Sequence, residues 1–245
     1  MDLLLVAVGA VAAGFVQGLT GFAFGLVALT FWVWVLPPET AGPLVVACSL
    51  LGQVLNGRMT LRGLRAPAAW PFILGGLAGV PIGSWLLPLI SPAAFKLGLG
   101  VLLVIWCPVM LLAGRLPAVT GGGRPADALA GWIGGIMGGI AGLSGPAPTL
   151  WVAFRRWRKD DQRAVFQAYH TSMHSLALSA FLVRGLIGPA ELRLFALAAP
   201  CMLLPILAGT RLYVRLSERG YRRLVLGLLA LAGLVLVSNG LWHPT

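Results

Sequence analysis

Two histidines four residues apart, His170 and His174, lie inside an apolar segment, with Gln167 and Thr171 on the same helical face and Tyr169 and Ser175 alongside. A second polar stripe, Ser49, Gln53 and Asn56, recurs at helical spacing earlier in the chain. Polar and ionisable side chains inside an apolar span are costly, so they face a bundle interior or a water-filled path. Histidine titrates near neutrality, which makes His170 and His174 candidates to bind a ligand or to carry a coupling proton. A pair hydrogen-bonded to neighbouring helices is the plainer reading, and the residues alone leave both open. The i, i+4 spacing also suits a metal, but no acidic or cysteine ligand shares that apolar segment, and no metal or other cofactor is assigned.

A second kind of chemistry belongs to the backbone. Residues 134–148 read GGIMGGIAGLSGPAP, and residues 18–21 read GLTG. Pro146 suits the first position of a helix, where its missing N–H would be unpaired anyway. From Pro146 to Arg155 the helix covers only about 14 Å, against a hydrocarbon core about 30 Å thick. That arm cannot cross, so the stretch reads as a re-entrant hairpin with its tip near the bilayer midplane. Helices starting after Thr20 and after Gly145 would aim unpaired N–H groups and a partial positive charge at one point, a place suited to a small anion. The candidate binding set is therefore Gln17, Gly18, Thr20 and Gly21 from the first break, and Gly142, Ser144 and Gly145 from the second. Ser49, Gln53, Tyr169, His170 and His174 join them from the spans. The alternative is that these glycines serve close helix packing alone. Gly142-Leu143-Ser144-Gly145 also matches the short GxSG pattern of rhomboid-type intramembrane serine proteases, with His170 or His174 as base; Ala23 holds the matching place in the first half.

The elements that must position these residues are membrane helices. Hydrophobic residues make up 58% of the 245 and charged ones only 10%, the composition of a polytopic membrane protein. The net charge of +11 is split into short clusters between apolar runs, as in cytoplasmic loops, and does not suggest nucleic acid. Neither lysine follows a glycine as a phosphate loop requires, so ATP is not the expected energy source. The N-terminus lacks the positive n-region of a cleavable signal and reads as mature protein. Cys48, Cys107 and Cys201 each sit in an apolar segment without disulfide or zinc spacing. After the broken first run, Leu3 to Leu36, apolar segments occupy roughly 41–57, 67–90, 93–113, 161–183, 190–212 and 222–240, each of spanning length. Tryptophans such as Trp32, Trp34, Trp70, Trp151 and Trp157 fall near span ends and read as interfacial anchors, and Arg184 as a snorkelling one.

The chain also repeats itself. Gly14, Gly18 and Gly21 match Gly135, Gly139 and Gly142 at one constant offset, which also places Ser49 on His170 and Gln53 on His174. With small gaps Pro81 falls on Pro205 and Phe95 on Tyr221. If each hairpin returns to its starting side, one side collects Arg58, Arg62, Arg65, Arg115, Arg124, the cluster around Arg155 to Arg163, and Arg211 to Arg223. The other side keeps only Lys96, Arg184 and Arg193. The positive-inside bias makes the first side cytoplasmic and both termini periplasmic. The expected fold is an all-α polytopic membrane protein of two inverted repeats, each a re-entrant helical hairpin followed by three transmembrane helices. Residues 1–245 form a single membrane domain: 1–113 the first repeat, 114–125 a cytoplasmic linker, 126–245 the second repeat.

The two-half layout, the glycine-rich first element of each half and above all GGIAGLSGPAP resemble the sulfite exporter TauE/SafE family of anion transporters. The similarity covers nearly the whole chain. The SGP element is similar to that of members with SGP in place of a GxGGG run, which this chain lacks in both halves, and His170-Thr171-Ser172 stands where many members have GTS. The resemblance implies passage of sulfite, a sulfonate or another small organic anion across the bacterial inner membrane. The partners expected are that anion, the lipid bilayer and a possible coupling proton or cation. An anion channel shares every feature named, and a membrane scaffold without cargo is disfavoured by the polar residues inside two spans.

Overall fold

A computed structural model describes residues 2–55, 57–113, 119, 121–155, 157, 159–213, 226, 227, 229, 230, 233, 234 and 236–238. Among them there is no strand, and the elements are helices in the order α1 Leu3–Thr20, α2 Phe24–Trp32, α3 Pro38–Val54, α4 Gly57–Leu64, α5 Ala69–Leu86, α6 Pro92–Leu112, α7 Gly123–Ala141, α8 Pro146–Arg155, α9 Lys159–Val183 and α10 Pro189–Tyr213. Among the described residues four stretches are long and apolar enough to cross a membrane: Leu3–Thr20, Ala69–Leu89, Pro92–Leu112 and Pro189–Leu212. The protein is a multi-pass, all-α membrane protein. The 25-residue α9 is about 37 Å long, but charged residues fill its first turns.

Local chemistry sets the helix ends. Asp2 caps α1, its carboxylate accepting from the amides of Leu4 and Leu5 at 3.1 and 3.3 Å. Ser91 caps α6 ahead of Pro92. The two long hairpin arms stop in the same way, α1 at Gly21 with φ 85° and α7 at Gly142 with φ 67°, a left-handed conformation that only glycine adopts cheaply.

Each break is followed by a short helix that runs back along the one before it. Trp32, the last residue of α2, donates from Nε1 to the carbonyl of Val6 in α1 at 3.1 Å. In the second hairpin Trp151 Nε1 and Arg155 Nη1 both donate to Asp127 Oδ1 at the start of α7, at 2.7 and 2.8 Å. With 9 and 10 residues, the return arms are only about 14–15 Å long. Trp32 is wholly buried; it is a hairpin latch rather than the interfacial anchor the sequence suggested.

Each hairpin is held by a long span distant in sequence, the first by α10 from later in the chain and the second by α5 from earlier. Along α5 and α7, Gly79 faces the carbonyl of Trp132, Gly83 that of Ile136 and Gly135 that of Gly76. Along α1 and α10, Gly14 faces Met202, Gly18 faces Ile206 and Gly209 faces Phe15. Backbones this close leave no room for a β-carbon, the packing that small residues permit in membranes.

Two boundaries and one side chain differ from the sequence reading. Arg58 and Arg62 of the basic cluster lie in helix α4, packed on α9 so tightly that Gly63 touches the carbonyl of Ala164. Helix α7 begins at Gly123, inside the expected linker. Arg184 reaches inward to the carbonyl of Ser84, at 2.7 Å. Four residues on stands Pro88, which has no N–H to give that carbonyl, so the arginine completes the α5 ladder. The span at 222–240 lies largely outside the described residues, as do Asn56, Arg115, Tyr221, Arg222 and Arg223.

Candidate functional site

The two breaks meet. A β-carbon added to Gly25, at the start of α2, would lie 3.3 Å from the carbonyl oxygen of Gly142 in the other break. Phe22 lies across from Gly145 and stacks on His170 with ring centroids 5.5 Å apart. Helices α3 and α9 flank this junction, and their polar stripes turn toward it.

A cluster of buried polar groups results, most of them joined in one hydrogen-bonded chain. Ser144 Oγ is 2.8 Å from His170 Nδ1 and 3.4 Å from His174 Nε2. His174 Nε2 is 3.0 Å from the carbonyl of Gly142, and its Nδ1 lies 3.0 Å from Gln53 Nε2. Gln17 donates from Nε2 to the carbonyl of Ser49 at 2.9 Å, and Gln167 to that of Gln53 at 3.4 Å. All six side chains named, with Ser49, are no more than 3% exposed.

The network fixes the proton positions. A carbonyl only accepts, so His174 donates to Gly142 from Nε2 and accepts from Gln53 at Nδ1. The Ser144 hydroxyl then finds its acceptor in His170 Nδ1. His170 therefore carries its proton on Nε2. Among the described residues three buried side-chain polar atoms have no partner: His170 Nε2, Ser49 Oγ and Gln17 Oε1. Buried polar groups are nearly always paired. Two of these three atoms are N–H or O–H donors.

The backbone contributes less than the sequence implied. Thr20 Oγ1 accepts from the amides of Phe22 and Ala23 at 3.1 and 3.0 Å, so it closes the turn ahead of α2 and occupies two donors of the first tip. Pro146 and Pro148 remove two N–H groups from the first turn of α8.

Of the twelve residues singled out in the sequence, Gln17, Ser49, Gln53, Gly142, Ser144, His170 and His174 belong to this network, and Gly21 and Gly145 shape the tips. Thr20 closes the turn between α1 and α2, Gly18 lies in the seam with α10, and Tyr169 anchors α9 to α7 by donating to the carbonyl of Gly131 at 2.8 Å. Phe22 was missed. An aromatic in an apolar run carries no signal of its own, although its place beside Gly21 was a clue.

Ser144 and His170 also meet the first requirement of a serine hydrolase, nucleophile beside base. The second is a group orienting the base. His170 Nε2, where that group would stand, has no partner.

Residues 5–236 match the family model described as sulfite exporter TauE/SafE. Searches of curated proteins and of solved structures gave no match.

Proposed function

Because the chain belongs to the sulfite exporter TauE/SafE family of membrane transporters, we propose that it moves a small sulfur-containing anion, sulfite or a sulfonate, across the inner membrane by alternating access. The observation that carries this reading is the sealed junction of the two breaks, with its unpaired donors His170 Nε2 and Ser49 Oγ. An oxyanion accepts hydrogen bonds on every oxygen, and neutral donors hold it without the cost of a buried charge pair. The reciprocal packing of α5 on α7 and α10 on α1 supports an inverted-repeat reading, in which each half lends a long span to the other's hairpin. Both termini are then periplasmic and the arginine-rich side cytoplasmic.

The driving force needs no further site. A membrane potential is worth about 2.3 kcal/mol per charge per 100 mV, so an interior-negative cell expels a monoanion unaided. Uptake would need a co-transported cation, for which His170 and His174 are the proton candidates.

Purified protein in proteoliposomes tests the reading with a panel of sulfite, thiosulfate, ethanesulfonate and acetate. Saturable, counterflow-competent flux of a sulfur oxyanion is expected, sharply reduced by Ser144→Ala in protein that still folds. Flux without saturation or counterflow would favour a channel. Absence of flux for the whole panel, with Ser144-dependent fluorophosphonate labelling, would favour the hydrolase.

A further inference from the structure

Away from the junction, a cavity of about 410 Å³ lies where the turn between α4 and α5 meets the start of α9. Its inner lining is apolar: the buried residues Ala164 and Val165 of α9, and Trp157, packed edge-to-face on Phe72 of α5 with ring centroids 6.1 Å apart. Residues 66–68 form another side, and directly after them begins Ala69–Leu89, a stretch long and apolar enough to cross a membrane. The cavity therefore sits where that span meets the lipid headgroups. The span exposes Trp70, Leu74 and Leu77 at helical spacing, a strip on which acyl chains can lie. Among the described residues, the charged groups on the lining are one of each sign, Arg62 and Asp161. Their nearest atoms are 3.8 Å apart, beyond hydrogen-bonding distance, and their side chains are 61% and 59% exposed. An exposed pair this loose adds little to stability, so both groups can take new partners at small cost.

We propose that this cavity binds a phospholipid with a zwitterionic headgroup, phosphatidylethanolamine, its phosphate on Arg62 and its ammonium on Asp161. The guanidinium fork fits two phosphate oxygens, and a primary ammonium donates to a carboxylate. The headgroup's short ethylene link sets its two charges side by side, as Arg62 and Asp161 are. A concave apolar space of this size with a few placed polar groups is the form of a small-ligand site, and its place at the end of a span makes the bilayer the source. An anionic headgroup would take Arg62 and leave Asp161 beside a negative charge. The lipid also braces two helices. Ala164 of the lining touches Gly63 of α4, and Thr60 of α4 lies 3.2 Å from Thr171 of α9. The inference stands apart from the transport reading above.

The full chain, stripped of lipid in detergent, is titrated with phosphatidylethanolamine, phosphatidylglycerol or free O-phosphoethanolamine, with melting temperature and native mass spectrometry as readouts. Phosphatidylethanolamine should bind saturably and raise the melting temperature. Arg62→Gln and Asp161→Asn should each weaken that binding about tenfold, as loss of a hydrogen bond to a charged group implies. Both variants should melt like the wild type when no lipid is present. Ala68→Trp fills the cavity from its exposed edge, keeps both charges, and should abolish binding. Equally tight binding of phosphatidylglycerol would overturn the inference in favour of a general anionic-lipid surface. Equally tight binding of free O-phosphoethanolamine would overturn it in favour of a soluble ligand. Unchanged affinity in Arg62→Gln, Asp161→Asn or Ala68→Trp would remove the cavity from lipid binding. A lowered melting temperature of either charge variant without lipid would also overturn it, because the pair would then hold the fold rather than the headgroup.

Discussion

At the scale of single residues, the junction depends on partners chosen so that, among the described residues, each buried side-chain polar atom but three is paired. Ser144→Ala removes the hydroxyl that His170 Nδ1 accepts from. Leaving a buried acceptor alone costs about 1–3 kcal/mol. The variant should therefore melt lower in detergent as well as transport poorly, and unchanged melting would mean the Ser144–His170 contact adds nothing to stability. Gln53→Leu has a different signature. It strands His174 Nδ1 without a donor while the Gly142 carbonyl still holds the Nε2–H form, so nitrogen NMR of labelled histidine should show the Nδ1 resonance shifted and the tautomer kept; a mixture of tautomers would mean that the Gly142 contact does not set the proton position. Arg184→Ala strands the Ser84 carbonyl that Pro88 cannot serve, at a similar cost of about 1–3 kcal/mol. It should lower the melting temperature and leave anion affinity untouched, because Arg184 takes no part in the junction.

At the scale of elements, each hairpin needs its short arm pinned. Asp127 is 5% exposed and receives both Trp151 and Arg155. Asp127→Ala leaves the Arg155 charge without its carboxylate in a partly buried place, which should cost roughly 3 kcal/mol. Limited proteolysis should then cut between α8 and α9 at protease levels that spare the wild type; equal resistance would show that the latch is not needed to close the hairpin. Much of this element was legible in the sequence. The Gly-Leu-Ser-Gly-Pro run announced a break, and the distance from Pro146 to Arg155 announced an arm too short to cross. The latches were not legible. A tryptophan near a span end looks the same whether it faces headgroups or a buried carbonyl, and only the fold-back of α2 on α1 decides it for Trp32. Helix α4 was hidden for a related reason: its arginines read as a loop, although they also suit the exposed face of a short helix. The stripes on α3 and α9 were legible because polar residues at helical spacing stand out against apolar surroundings. Their pairing, Gln53 with His174, needed the crossing of two helices distant in sequence.

At the scale of the whole molecule, the two glycine seams join α1 to α10 and α5 to α7 so closely that each pair should move as one body. A single methyl in a seam, Gly79→Ala for instance, pushes a β-carbon against the carbonyl of Trp132, and should destabilise more than the same change at Gly98, where the added atom meets nothing. Equal melting of the two variants would mean the seam can open at no cost. The sidedness proposed from the basic residues can be tested as well. Single cysteines replacing Asp2 and Lys96 should react with an impermeant thiol reagent from outside the cell, and one replacing Arg62 only after the membrane is opened. The shut junction has an electrical corollary. Ser144, His170 and His174 are each 1% exposed, so the junction is shut in this conformation. On the alternating-access reading proposed above, each cargo waits for helices to shift, a matter of microseconds to milliseconds. A patch pipette on such a membrane would record no unitary openings, only a slow drift of charge, and chloride or hydroxide could not slip through between turnovers.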